Sequence, residues 1–357
     1  MENKIDILTS EAVALLKEMI AIPSPSFKED EVCSHISSWM TDKGIEYKRI
    51  GNNLLAEHIV DPGQLTLMLC AHIDTVSPCE GYSFDPYKPE NCPEGVVQGL
   101  GSNDDGASVV SMLAAYRYIM EPSTDRKIPN IILALSCEEE RSGAGGMTGL
   151  WPQLKDKVDY AIVGEPTGMK AAVSERGLLV IDATAHGVSG HAARNEGKNA
   201  LYIALEDIDT LRKYEFSKIS PKMGKVNLNV TQINAGSAHN VIPDRCDFVI
   251  DIRPTEQYSN QEILDELQKV CKSELKPRNL ANKSSATFEE SRLQAAVQKL
   301  GIETFSSATT SDWMRISCDA IKMGPGESAR SHRKDEFVYE DEIRNAIETY
   351  IQFINTL

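Results

Sequence analysis

Residues 65–74, LTLMLCAHID, decide the fold. A run of strand length that is apolar almost throughout has no polar face, so the strand it forms is buried on both sides. NIILALS (130–136) and YAIVGEP (160–166) read the same way. Between the first two lies ASVVSMLAAYRYIM (107–120), a helical pattern beginning near Gly106. Buried strands alternating with helices predict an α/β sheet covered by helices.

Upstream, Val13, Leu16 and Ile20 share one helical face; Thr9 or Ser10 is expected to cap that helix and Pro23 to end it. Val32, Ile36 and Met40 form the stripe of a second helix ending at Gly44. EYKRI and LLAEH, joined by Gly51 and Asn52, predict a hairpin. From about residue 175 the pattern changes. LLVIDATAHG (178–187), KVNLNVTQINAG (225–236) and RCDFVIDIRP (245–254) alternate apolar and polar residues, as in strands with one packed face. Helical patterns at 197–214 and 259–275 accompany them. The expectation is an α+β domain at 175–283 inserted into a discontinuous α/β domain of 1–174 and 284–357.

The chain has 357 residues, 41% of them apolar, and a net charge of -16. An acidic chain lacks the basic footprint that phosphate backbones require, so a nucleic-acid partner is not expected. No apolar run approaches the roughly 18 residues of a membrane span. The first residues, MENKIDILTSEAVALLKEM, show no apolar core of a secretion signal. Eight scattered cysteines form no C-x-x-C pair and read as reduced thiols in a cytoplasmic protein.

Five positions carry the chemistry: His72, Asp104, Glu140, Glu165 and His332. Two imidazoles and three carboxylates without a thiolate suit zinc, and a two-metal site can activate water for attack on an amide. His72 and Asp74 end an apolar strand on the same side, so the Asp74 carboxylate can accept from the free ring N–H of a metal-bound His72. The bland alternative is a pair capping a strand. Asp104 sits among glycines in GLGSNDDGAS (99–108), where it or Asp105 could instead be a helix N-cap. In SCEEERSGAGG (136–146) three glutamates follow a buried strand. They are either a solvated loop or a division of labour, one carboxylate binding metal and its neighbour taking a proton. Glu165 follows another strand, and His332 follows a Gly-Pro-Gly loop, where a lone histidine is ordinarily a surface residue. Convergence favours function, because α/β sheets place their ligands at the C-terminal ends of their strands.

HIDT, GSNDDG, SCEEE, VGEPT, GHAA, NVIPD and GPGESARSH, in that order along the whole chain, resemble the acetylornithine deacetylase / succinyl-diaminopimelate desuccinylase family of di-zinc amidohydrolases, and the wording is most similar to the acetylornithine deacetylase branch. The resemblance implies a zinc-exopeptidase-like catalytic domain, with helices on both faces of a mixed sheet, and an inserted dimerisation domain. It implies two Zn2+ per chain, for which Co2+ can substitute. His72, Asp104 and Glu165 would hold one ion; Asp104, Glu140 and His332 would hold the other. Asp74 would orient His72, and Glu139 would be the general acid/base. His191 would reach into the partner subunit's site to stabilise an oxyanion; read from its own residues, it is a buried histidine bonded within its turn. Asn240 and Arg253 would contact the substrate carboxylate, although Arg253 could instead pair with Asp244, Asp247 or Asp251. The implied activity is removal of an N-acetyl or N-succinyl group from the α-amine of ornithine or citrulline, in arginine biosynthesis, by a cytoplasmic homodimer acting on a small molecule. Rival readings are succinyl-diaminopimelate desuccinylase, a dipeptidase or carboxypeptidase, and a silent amino-acid-binding protein. Two positions depart from the family pattern, Ala107 where Lys is usual and Glu138 where Asp is more usual, and neither is a ligand candidate.

Overall fold

The computed structural model describes residues 2–121, 128–194 and 196–357. The chain forms two compact units, one of residues 1–173, 287–305 and 311–357, the other of 174–286 and 306–310.

The first unit is built on a mixed sheet. Its strands are β1 (Lys48–Ile50), β2 (Asn53–His58), β3 (Thr66–His72), β5 (Asn130–Ser136), β6 (Tyr160–Val163) and Asp319–Lys322, with β4 (Val96–Gln98) lying apart. The order is β1-β2-β5-β3-β6 and then Asp319–Lys322, followed by β7 (Ala171–Glu175). β3, β5, β6 and Asp319–Lys322 are parallel to one another; β1 and β2 pair antiparallel. Every residue of β3 and of β5 is buried. The pleat explains why: Leu67, Leu69, Ala71, Ile131 and Leu133 join a core with helices α1 (Glu2–Ile20), α2 (Asp30–Asp42), α3 (Ala107–Met120) and α8 (Glu340–Ile354). Met68, Cys70, Ile132 and Ala134 face the other way, onto α4 (Met147–Leu154) and Trp313. With both faces covered, the middle positions of β3 and β5 are all apolar, and their polar residues stand at the ends: Thr66, His72, Asn130 and Ser136.

The first helix starts earlier than its capping residues predict. Thr9 and Ser10 lie inside α1, and the Ser10 hydroxyl donates to the Asp6 carbonyl one turn back, at 2.9 Å. Ile5 and Leu8 extend the buried stripe toward the N-terminus, so burial overrides the local cap signal. The second helix and the hairpin fall as expected, with Gly44 and Gly51 at positive φ where the chain turns.

The second unit is a four-stranded antiparallel sheet in the order β10 (Asn227–Ala235), β12 (Arg245–Arg253), β8 (Leu179–His186), β13 (Glu274–Pro277). Alternate residues of β8 and β12 are buried against α5 (Ala200–Lys213) and α6 (Asn260–Val270). Asn199 caps α5, and Ser259 with Glu262 forms a capping box on α6. A short ribbon of β9 (Gly190–His191) and β11 (Val241–Ile242) completes the unit, and α7 (Arg292–Lys299) belongs to the first.

Leu133 on β5 has no exposed surface. Leu133→Ala is therefore expected to lower the stability of the first unit by about 2–5 kcal/mol, measured by urea unfolding.

Candidate metal centre and active site

The parallel strands bring the ligand candidates to one edge. His72 is the last residue of β3, Glu139 and Glu140 follow β5, Glu165 follows β6, and His332 lies in the segment that leaves Asp319–Lys322. Parallel pairing puts all these C-terminal ends on the same side of the sheet. Asp104 arrives from the irregular turn Ser102–Gly106 ahead of α3, all of it buried. Neither Asp104 nor Asp105 caps that helix, whose N-cap is Gly106 with no side-chain bond.

His72 Nδ1 lies 2.8 Å from the Asp74 backbone carbonyl and 3.5 Å from its carboxylate. The expected carboxylate acceptor is thus replaced by the carbonyl of the same residue. The effect on the ring is the same: with its proton on Nδ1, His72 presents Nε2, 3.2 Å from Asp104 Oδ1. The Asp74 carboxylate is occupied elsewhere. It accepts from Ser26 Oγ at 2.7 Å and from the backbone N–H groups of Glu139 and Glu140 at 3.0 and 3.2 Å.

The three glutamates have three surroundings. Glu138 takes a left-handed conformation (φ 58°) that turns the chain, and its carboxylate accepts from Gly145 N–H at 2.7 Å. A Cβ at Gly143 or Gly145 would collide with this side chain, which explains glycine at both. Glu140 Oε1 lies 2.8 Å from His332 Nε2, which is itself 3.6 Å from Asp104 Oδ2. Glu139 instead joins His72 and Glu165. Donor atoms of His72, Asp104 and Glu140 lie within 4.8 Å of one another, as do those of His72, Glu139 and Glu165.

The cluster has too much negative charge for its burial. Burial pushes the Glu139 carboxyl well above its ordinary range; His72 opposes this, while Asp312, Glu140 and Asp74 add to it. Burial raises Glu165 likewise, reinforced by Asp104 and Glu139. Burial would lower His72, but its hydrogen bonds to Asp104 and Asp74 win and pull it well up. The hydrogen bond to Glu140 lifts His332 to about 9. Burial raises Asp105 to about 7 and Asp312 to about 6, with His72 pulling both down. Imidazole and carboxylate donors at mutual ligand distance, short of positive charge, are what a pair of divalent cations would complete.

Several buried groups here carry no sequence signal. Asp312 accepts from Ser136 Oγ at 2.6 Å, Glu336 binds the backbone around Asp104, and Asn103 binds the backbone of Glu327. All three lie outside the regular elements that periodicity reads; the adjacency of Asp105 to Asp104 was the only local cue.

His191, Asn240 and Arg253 belong to the second unit. His191 is exposed, not buried, and its Nδ1 accepts from Ala193 N–H at 3.2 Å, which leaves the proton on Nε2. Asn240 is close by in the fold: its carbonyl accepts from Ala192 N–H at 3.0 Å, and Val241 pairs with His191. Arg253 makes a two-pronged ion pair with Asp251, at 2.8 and 3.1 Å. That is one of the structural pairings its sequence neighbourhood offered.

Residues 173–279 match the peptidase dimerisation domain, and residues 53–175 match peptidase family M28. The succinyl-diaminopimelate desuccinylase of Corynebacterium glutamicum is 24% identical over 98% of this chain and 97% of its own length. The acetylornithine deacetylase of Proteus mirabilis is 27% identical over 91% of each. Over nearly its whole length the chain is similar to members of the acetylornithine deacetylase / succinyl-diaminopimelate desuccinylase family. It is a metal-dependent hydrolase of amides, and a zinc pair is the cofactor that its donor set fits. The fold is also that of a tripeptidase from Staphylococcus aureus, with a TM-score of 0.79 at 19% identity over 97% of this chain and 98% of that one. Among the described residues no helix is long and apolar enough to cross a membrane.

Chelation is expected to abolish hydrolysis, with recovery on adding zinc or cobalt; His332→Ala should leave one metal per chain by elemental analysis. Glu139→Ala should keep its metals and lose about 100- to 10,000-fold in kcat, read by elemental analysis beside steady-state kinetics.

Proposed function

We propose that this enzyme removes an acetyl or succinyl group from the α-amine of ornithine or citrulline, working as a cytoplasmic homodimer. One observation carries the reading. Relatives that match nearly the whole chain are named for removing an acetyl group from acetylornithine or a succinyl group from succinyl-diaminopimelate. Both names describe the same bond, an amide between a small acyl group and an amino acid.

In this reading His72, Asp104 and Glu165 hold one zinc, and Asp104, Glu140 and His332 hold the other. Bound there, the pair supplies Lewis acidity and lowers the pKa of water. The chain's own groups do the rest. Glu139 takes a proton from the attacking water and hands it to the leaving amine nitrogen, so the amine departs neutral. His191 Nε2–H donates to the oxyanion of the tetrahedral intermediate in the partner subunit's site. Asn240 and Arg253 bind the substrate carboxylate, for which Arg253 must exchange Asp251 for its ligand. Succinyl-diaminopimelate is the second reading, favoured by the name of the Corynebacterium glutamicum relative.

A panel of N-acetyl- and N-succinyl-ornithine, -citrulline and -diaminopimelate compared by kcat/KM tests the substrate. The expected best substrate is an ornithine or citrulline derivative; a preference for succinyl-diaminopimelate would replace it. His191→Ala and Glu139→Ala homodimers are each expected to be nearly inactive. Co-expressed at equal levels, they should recover about a quarter of wild-type activity, because half the dimers are mixed and each mixed dimer has one intact site. No recovery in demonstrated heterodimers would mean that His191 does not act across the dimer.

A further inference from the structure

Two buried side chains outside the proposed ligand set tie the Asp104 turn to the segment that carries His332. Glu336, 2% exposed, directs its carboxylate at the backbone of the turn. Its Oε1 accepts from Asn103 N–H and Asp104 N–H, both at 2.9 Å, and its Oε2 accepts from Gly101 N–H at 3.1 Å. Asn103, with no exposed surface, reaches the other way. Its Nδ2 donates to the Glu327 carbonyl at 3.1 Å and to Ser331 Oγ at 3.2 Å, and its Oδ1 accepts from Glu327 N–H at 2.9 Å. Each segment thus grips the other's backbone, and the two grips lie on either side of His332 in the chain.

The arrangement is costly enough to need a reason. A buried carboxylate beside Asp104 adds like charge to the cluster. A neutral side chain could cap a turn at lower cost. His332 itself sits at φ 56°, a conformation that a histidine keeps only where its surroundings impose it. Its side chain is about half exposed, so packing does not fix it. The clasp brackets this residue in the chain, at Glu327 and Ser331 before it and at Glu336 after it.

We propose that Asn103 and Glu336 are positioning residues for one metal of the pair, the ion assigned to Asp104, Glu140 and His332, by locking the Asp104 turn against the His332 segment. This rests on the ligand assignment proposed above. The other ion shares only Asp104 with the clasp, since His72 and Glu165 stand on the ends of β3 and β6, which the sheet holds without it, so that ion depends on the clasp less.

The test is a zinc titration of the metal-free full-length protein, followed by calorimetry. Wild type should bind two zinc ions with resolvable constants; fewer than two would sink the ligand assignment itself, whatever the variants do. Given two, Glu336→Ala and Asn103→Ala should each weaken one ion by about 10–100-fold, the usual worth of a group that orients a ligand, and leave the other little changed. Glu336→Gln keeps one acceptor oxygen and should restore part of the loss. The double variant should lose less than the sum of the singles, because both act on one clasp. Apo-protein melting temperatures are recorded in parallel. Equal weakening of both ions in step with a lower melting temperature would mean that the pair merely stabilises the fold, and unchanged constants would mean that the clasp positions nothing. Should Glu336→Ala fail to fold, Asn103→Ala and Glu336→Gln decide the matter by the same criterion.

Discussion

The Asp74 carboxylate is the contact on which the site depends. It sits just past the end of β3 and accepts from the backbone of Glu139 and Glu140, just past the end of β5, and from Ser26. One buried anion therefore fixes the spacing between two parallel strands' C-terminal loops. The Asp74 carbonyl meanwhile sets the tautomer of His72. Lose the carboxylate, and the two glutamates would be held only by a loop with a left-handed residue at each end, Glu138 and Ser142. The hydrogen bonds of Asp74 outweigh its burial and hold it below the ordinary carboxylate range, so it stays ionised while its neighbours are pushed the other way.

That contrast makes the electrostatic logic visible. Asp74 stays charged because the His72 imidazole, and then the Ser26 hydroxyl and the Glu139 N–H, offset its burial. Burial, reinforced by neighbouring carboxylates, pushes Glu139 and Glu165 toward neutrality. A site whose buried carboxylates crowd one another is arranged for a cation that arrives from outside it. The sheet supplies the rigidity: the ligand-bearing ends belong to strands buried on both faces, where sideways shifts would disturb two cores at once.

The fold was legible where burial dictates sequence. LTLMLCAHID, NIILALS and YAIVGEP are central strands whose middle residues are apolar because both faces are covered, and the alternating runs after residue 175 are strands with one packed face. The start of α1 was not legible, since a serine donating to a carbonyl within a helix looks the same in sequence as a cap. Return of residues 306–310 to the second unit has no compositional mark either. In the site, motif spacing drew attention to His72, Asp104, Glu140, Glu165 and His332. The structure gathers the first three, and His332 beside Glu140, at one sheet edge. What sequence could not supply was the supporting layer. Asn103 and Glu336 act through backbone groups far away in the chain, and Asp312 through the Ser136 hydroxyl, and no periodicity encodes such contacts. For Arg253, sequence left two readings open, and the pairing with Asp251 shows which partner it has in this state.

The central claim is that two zinc ions share this cluster and that Glu139 stands beside them without binding either. Anomalous diffraction at the zinc edge from zinc-loaded crystals tests it most directly. The account predicts two peaks per chain: one contacting His72 and Glu165, the other Glu140 and His332, with Asp104 between them and the Glu139 carboxylate outside ligand distance of both. A peak ligated by Glu139 in place of Glu140, or a single peak with Asp104 on one side only, would contradict it.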